Sequence, residues 1–163
     1  MTSSWPRPLL FLDVDGPLIP FGGTDYPVAS AEGHPLLARL DPSHGPRLLA
    51  LPCDLVWATT WGDEANEVIA PRIGLPRLPV ADWPEPSEDE GRGGLHWKTR
   101  PLLARAAGRP FAWVDDEITP ADRAWAATHH PAPVLLHRVE PRTGLTPDDF
   151  AVLARWLGAV VVC

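Results

Sequence analysis

The stretch Leu9-Leu10-Phe11-Leu12-Asp13-Val14-Asp15-Gly16 decides how the rest of the chain is read. Residues 8–14 read as a short apolar strand, closed by acidic residues and Gly16. Further apolar runs follow. Residues 54–58 end at Thr59-Thr60, residues 78–80 are brief, residues 111–114 end at Asp115-Asp116-Glu117, and residues 133–136 complete the set. Helical spacing lies between them, over residues 34–40, 45–51, 63–70, 97–107 and 120–128. In the third of these Ala65, Val68 and Ile69 are apolar and Pro71 is the expected stop. Thr146 suits the N-cap of a last helix, with Asp148 and Asp149 in its first turn and Phe150, Leu153, Ala154 and Leu157 on its buried face. Strands alternating with helices predict an α/β fold. The expected form is a Rossmann-like, doubly wound, mostly parallel five-stranded sheet with helices on both faces.

At 163 residues the chain fits a single domain, 1–163, since domains usually run to about 100–200 residues. Its composition, 45% hydrophobic and 21% charged, is globular rather than disordered. The 21 prolines predict many sharp element boundaries. Residues 82–94, acidic and rich in Pro and Gly, are the expected mobile loop. A net charge of −7 argues against a protein that coats duplex DNA by charge alone. Cys53 and Cys163 make no disulfide framework; Cys53 is the expected buried thiol, and a reducing cytoplasm suits both. No run approaches the about 20 apolar residues of a membrane span, and no signal-peptide pattern opens the sequence. The expected location is therefore cytoplasmic, without a membrane partner.

In open α/β sheets ligands bind at the carboxyl ends of the strands. There the sequence offers Asp13, Asp15 and Gly16, then Thr59, Thr60 and Trp61, then Asp115, Asp116 and Glu117. Lys98 opens the helix before the third group. It is the single lysine among 14 basic residues, and a lysine standing alone in an arginine-rich chain marks a place for a compact ammonium. Clustered carboxylates repel unless a cation lies between them. Mg²⁺ takes one or two carboxylates together with waters and phosphate oxygens. The set therefore suits phosphoryl transfer. A metal and Lys98 would neutralise phosphate charge, a threonine hydroxyl would hold its oxygens, and a carboxylate would attack phosphorus.

The stretch from Phe11 to Leu18 resembles the first motif of the haloacid dehalogenase (HAD) superfamily, Asp-x-Asp-Gly after an apolar strand. Thr59 resembles its second motif, Lys98 its third, and Asp115-Asp116 its fourth. The resemblance covers about residues 9–136. Val56-Trp57-Ala58-Thr59-Thr60-Trp61 and Trp113-Val114-Asp115-Asp116-Glu117 are further similar to stretches in the small phosphatase-like domains of bacterial Swiss Army Knife RNA-repair proteins. The resemblance implies a Mg²⁺-dependent phosphohydrolase. Asp13 would be the nucleophile, forming an aspartyl-phosphate, and Asp15 the general acid and base. Asp13, the backbone carbonyl of Asp15, Asp115 and Asp116 would hold the metal. Thr59, with Thr60 as its alternative, and Lys98 would hold the phosphoryl oxygens. The short intervals between motifs leave no room for a large cap, so the site would admit a large phosphoester, a nucleic-acid end included. No obligate protein partner is readable.

Among the tryptophans, Trp57, Trp97 and Trp113 are expected in the core, and Trp61 is the candidate substrate contact. His129, His130 and His137 lack ligand spacing and are expected to be solvated or capping; His96 has no assigned role. Glu117 reads as a first-turn helix charge before Pro120. Two other readings use the same groups. One is a HAD-like binding or regulatory module without turnover; the other is a phosphotransferase that prefers an alcohol to water. A receiver-type phospho-acceptor domain is disfavoured, because there the acidic pair follows the first strand and here it comes late.

Overall fold

At the centre of the computed structural model, which describes residues 5–24, 26, 35–84 and 94–161, lies β1 (Leu9–Leu12). All its residues are buried, as expected of an inner strand covered on both faces. β2 (Asp54–Trp57) lies on one side of it, β3 (Phe111–Asp115) on the other, and β4 (Val134–Arg138) beyond β3. The sheet order is β2-β1-β3-β4, with every pair parallel.

Successive strand residues face opposite sides, and two hydrophobic cores result. Leu10, Leu12, Leu55, Trp57, Ala112 and Val114 face one core. It is closed by Leu48 of α1 (His44–Leu49), Ile73 of α2 (Ala70–Ile73) and the Phe150, Leu153 and Leu157 row of the C-terminal helix. Leu9, Phe11, Val56, Phe111 and Trp113 face the other. It is closed by Leu102 and Ala106 of α3 (Thr99–Ala106) and Ala126 of α4 (Pro120–His129). Each large side chain so buried contributes about 1.5–3 kcal/mol relative to exposure.

Among the described residues the sheet has four strands where five were expected. Residues 78–80 supply one parallel bridge, Trp57 to Val80, and go no further. The buried amide of Asn66 explains this, because it takes both backbone groups of Leu78: Leu78 N–H donates to Asn66 Oδ1 at 2.8 Å, and Asn66 Nδ2 donates to Leu78 O at 2.8 Å. Pro79 beside it has no N–H to give.

Pro71 does not stop its helix. A π-helical turn, Ala65–Ile69, precedes it and leaves Pro71 in the first turn of α2, where a missing N–H costs nothing. The first helical segment is a 3₁₀ turn, Pro35–Arg39. In α5 (Pro147–Val161) Ala154 is exposed, and Val160 takes its place on the buried row. Thr146 caps α5 as expected: its Oγ1 accepts from Asp149 N–H at 3.3 Å, and Asp149 Oδ2 accepts from Thr146 N–H at 2.8 Å. The expected mobile loop falls mostly on residues 85–93, which with His34 and Cys163 lie outside the described residues. Among the described residues no helix is long and apolar enough to cross a membrane.

Candidate active site

Strand register sets the site. Leu12 pairs with Trp57 on one side and Val114 on the other, so Asp13 stands level with Ala58 and Asp115. Asp13 N–H donates to Val114 O at 3.1 Å, and Ala58 N–H to Leu12 O at 2.8 Å. The chain leaves β1 for β2, while β3 lies on the opposite side of β1. Asp13 and Asp115 therefore flank the point where strand order reverses, the usual crevice for ligands in such sheets.

Lys98 comes to the same edge from the N-terminus of α3. Its Nζ donates to Asp115 Oδ2 at 2.9 Å and to Ala58 O at 2.9 Å, and lies 3.2 Å from Asp13 Oδ1. The Lys98 backbone N–H donates to His96 Nδ1 at 3.1 Å. Asp122, fully buried, ties this corner to α4. Its Oδ1 accepts from His96 N–H at 2.8 Å and Thr99 Oγ1–H at 2.7 Å, and its Oδ2 accepts from Thr119 N–H at 2.9 Å. The helix carrying Lys98 is thus pinned to the helix that follows Asp115 and Asp116.

Oxygens of Asp13, Asp115 and Asp116, all buried, lie within 4.8 Å of one another, the one such group among the described residues. Their crowding shows in their proton affinities. Burial pushes Asp13 up to about 8, against the pull of Lys98 and with the added push of Asp115. Burial and the Asp115 charge push Asp116 up to about 7. Burial works against the Lys98 ammonium, but the Asp13 and Asp115 charges outweigh it and hold the ammonium above its ordinary range. One ammonium does not neutralise these carboxylates, so burial and mutual repulsion favour the protonated forms of Asp13 and Asp116. A small hard cation fits this all-oxygen set and would displace those protons.

Asp15 lies beside the trio rather than in it. Its Oδ2 accepts from Trp61 Nε1–H at 3.1 Å. Gly16 is required where it stands. Its φ is +102°, and a Cβ there would lie 2.7 Å from Asp116 Cγ. Arg138 Nε donates to the Asp116 carbonyl at 3.0 Å from the far side.

Thr59 is buried and Thr60 exposed. Thr59 Oγ1 accepts from Trp61 N–H at 3.2 Å, and its carbonyl accepts from Trp83 Nε1–H at 3.2 Å. Trp61 turns its N–H to Asp15, which its earlier reading as a substrate contact did not foresee. The sequence reading does not single out Trp83; an indole in an otherwise polar loop was the available signal, and in the structure its ring meets Trp97 edge to face at 4.9 Å. Trp57 and Trp113 are core residues, whereas Trp97 is only half-buried.

Of the remaining candidates, the three histidines lie elsewhere and Glu117 borders the site. His129 is exposed, and His137 pairs with Asp149 at 2.7 Å. His130 is buried and caps the C-terminus of α4, as the capping reading expected: its backbone N–H donates to Ala126 O at 2.9 Å, and its Nε2 lies 2.7 Å from Arg109 O. Glu117 precedes the α4 N-cap instead of sitting in its first turn; its N–H donates to Asp115 Oδ1 at 3.0 Å, and its carboxylate lies 3.6 Å from His96 Nε2. Cys53 is buried, and burial pushes its thiol up to about 12.

Residues 9–150 match the family model described as the HAD domain in Swiss Army Knife RNA repair proteins. No curated protein and no solved structure matches the chain.

Proposed function

The chain belongs to the family of HAD domains in Swiss Army Knife RNA repair proteins, and from that premise we propose that it is a Mg²⁺-dependent phosphohydrolase acting on phosphate monoesters. The observation that carries this reading is the buried Lys98 ammonium between Asp13 and Asp115, with Asp116 completing an oxygen-donor set. A phosphoryl group seated at that edge would meet one cationic group, one buried hydroxyl and one carboxylate able to attack.

Asp13, Asp115, Asp116 and the backbone carbonyl of Asp15 would hold Mg²⁺. When bound, the ion neutralises charge on the phosphoryl oxygens and keeps the carboxylates ionised. An Asp13 carboxylate oxygen attacks phosphorus, the bond to the leaving oxygen breaks, and Asp15 gives that oxygen its proton. The aspartyl-phosphate on Asp13 is then hydrolysed. Asp15, now a carboxylate, takes a proton from water, the water oxygen bonds to phosphorus, and inorganic phosphate leaves with Asp13 restored. Lys98 and Thr59 hold the phosphoryl oxygens through both steps, with Thr60 at the exposed rim.

The test is phosphate release from 4-nitrophenyl phosphate, with Mg²⁺ and with chelator, by the unaltered protein and by Asp13→Asn. Metal-dependent release that disappears in a folded Asp13→Asn protein is expected. Undiminished release by that variant would overturn the nucleophile assignment, and release unaffected by chelator would remove the metal.

A further inference from the structure

Trp61 stands between two groups of the proposed reaction. Its backbone N–H donates to Thr59 Oγ1, and its indole N–H donates to Asp15 Oδ2. The ring is partly buried against the larger core, so its position is set by packing and not by a ligand. The Asp15 backbone is fixed as well, through its bridge to Ile19 and the Gly16 N–H to Ile19 O bond of 2.9 Å. Only the Asp15 side-chain torsions remain to be set. Among the described residues, the Trp61 indole is the one hydrogen-bond donor to that carboxylate.

Resting on the phosphohydrolase reading above, we propose that Trp61 is the positioning residue for Asp15, holding one carboxylate oxygen so that the other meets the leaving group and, later, the water. An indole suits this task. Its N–H only donates, so it neither accepts the proton that Asp15 must deliver nor competes for it. It carries no charge, so it orients the carboxylate without forming an ion pair that the reaction would have to break. A lysine or arginine there would do the reverse. The same residue sets the Thr59 hydroxyl, so the phosphate-holding and proton-transferring groups share one anchor.

The test compares Trp61→Phe, which keeps the ring and loses the N–H, with the unaltered protein on 4-nitrophenyl phosphate and phenyl phosphate. Phenoxide is the poorer leaving group and needs its proton more. The expected result is a fall in kcat/KM of about tenfold or more for phenyl phosphate, within the about 10²–10⁴-fold worth of general acid catalysis. A smaller fall is expected for 4-nitrophenyl phosphate, and KM should hold. In an Asp15→Ala background, Trp61→Phe should add nothing. A rise in KM with kcat intact would mark Trp61 as a substrate contact and overturn the proposal. So would an equal loss on both esters, or a further loss in the Asp15→Ala background.

A second readout needs no turnover. In ¹⁵N spectra of the metal-free protein, Asp15→Ala should shift the Trp61 indole resonance and speed its hydrogen exchange. An unmoved resonance would overturn the contact. If neither ester releases phosphate with Mg²⁺, the phosphohydrolase reading falls, and the Trp61–Asp15 contact is still decided by the spectrum.

Discussion

The Lys98 ammonium donates to Asp115 Oδ2 at 2.9 Å, and neither side chain is open to solvent. The same ammonium lies 3.2 Å from Asp13 and donates to the Ala58 carbonyl. A buried charge in this position is held by its partners, and each partner is held by it. Taking one away strands the rest.

Lys98→Met should therefore destabilise the metal-free protein at neutral or higher pH. Breaking a buried pair from one side costs about 3–5 kcal/mol. Urea unfolding would show the loss as a lower midpoint at an unchanged slope. A loss under about 1 kcal/mol would mean that the ammonium does not balance these carboxylates.

Asp13 and Asp116 give the metal-free protein a stability that depends on pH. Both are raised above the ordinary carboxylate range, to about 8 and about 7. Between those limits the folded form holds protons that the unfolded chain has released, so folding gains from acid there. Their contribution is complete below about pH 4 and is lost as pH rises through about 7 and 8. Thermal melts in chelator should fall in Tm across that window, Asp13→Asn should flatten the fall, and Mg²⁺ should reverse it at the alkaline end. A Tm that rises with pH in chelator would contradict the raised affinities.

Mg²⁺ binding should release protons for the same reason, since the ligands must ionise. Calorimetry near pH 7 in buffers of different ionisation enthalpy measures the release directly. Equal heats in all buffers would show carboxylates already ionised before the metal arrives.

Gly16→Ala should damage the site more than the fold. The new methyl group would meet Asp116 Cγ at 2.7 Å from a backbone held at φ +102°. The left-handed backbone alone costs an L side chain about 1–3 kcal/mol. Metal affinity should fall further than stability does, because the atom displaced is in a carboxyl proposed to hold the metal. Calorimetry and urea unfolding on the same variant separate the two, and unchanged Mg²⁺ affinity would clear Asp116 of that role.

Asp122→Ala should cost about 3 kcal/mol or more, since hydrogen bonds to a charged group contribute about 1.5–3 kcal/mol each and several donors would be left buried. Its loss frees the N-termini of α3 and α4 together. The expected signature is faster amide exchange at both. Exchange confined to α4 would mean that Lys98 is held by its carboxylates alone.

Much of the site was legible before any geometry. Asp13, Thr59, Lys98 and Asp115 each stand at the end of an apolar run or the start of a helix, and such ends are local signals. The brief run at 78–80 misled, because a strand needs its backbone groups free, and Asn66, twelve positions away, takes those of Leu78. Pro71 misled because a π-helical turn ahead of it shifts the register. Trp97 and Glu117 were misplaced because burial and capping depend on neighbours distant in the chain.

Which reactive groups are on offer was readable from residue order alone: short apolar strands that end in carboxylates, one hydroxyl-bearing turn and a single lysine. Those follow from composition and spacing, which act within a few residues. The partnerships came from the folded chain: Lys98 between Asp13 and Asp115, Trp61 on Asp15, Asp122 across two helix starts. Apart from the local Thr119–Asp122 cap, such bonds span at least 17 positions of chain, as for Lys98 to Asp115, and 46 for Trp61 to Asp15. A hydrogen bond or ion pair is set by distances of about 3 Å, and only a parallel sheet in register brings residues so far apart in sequence to that range.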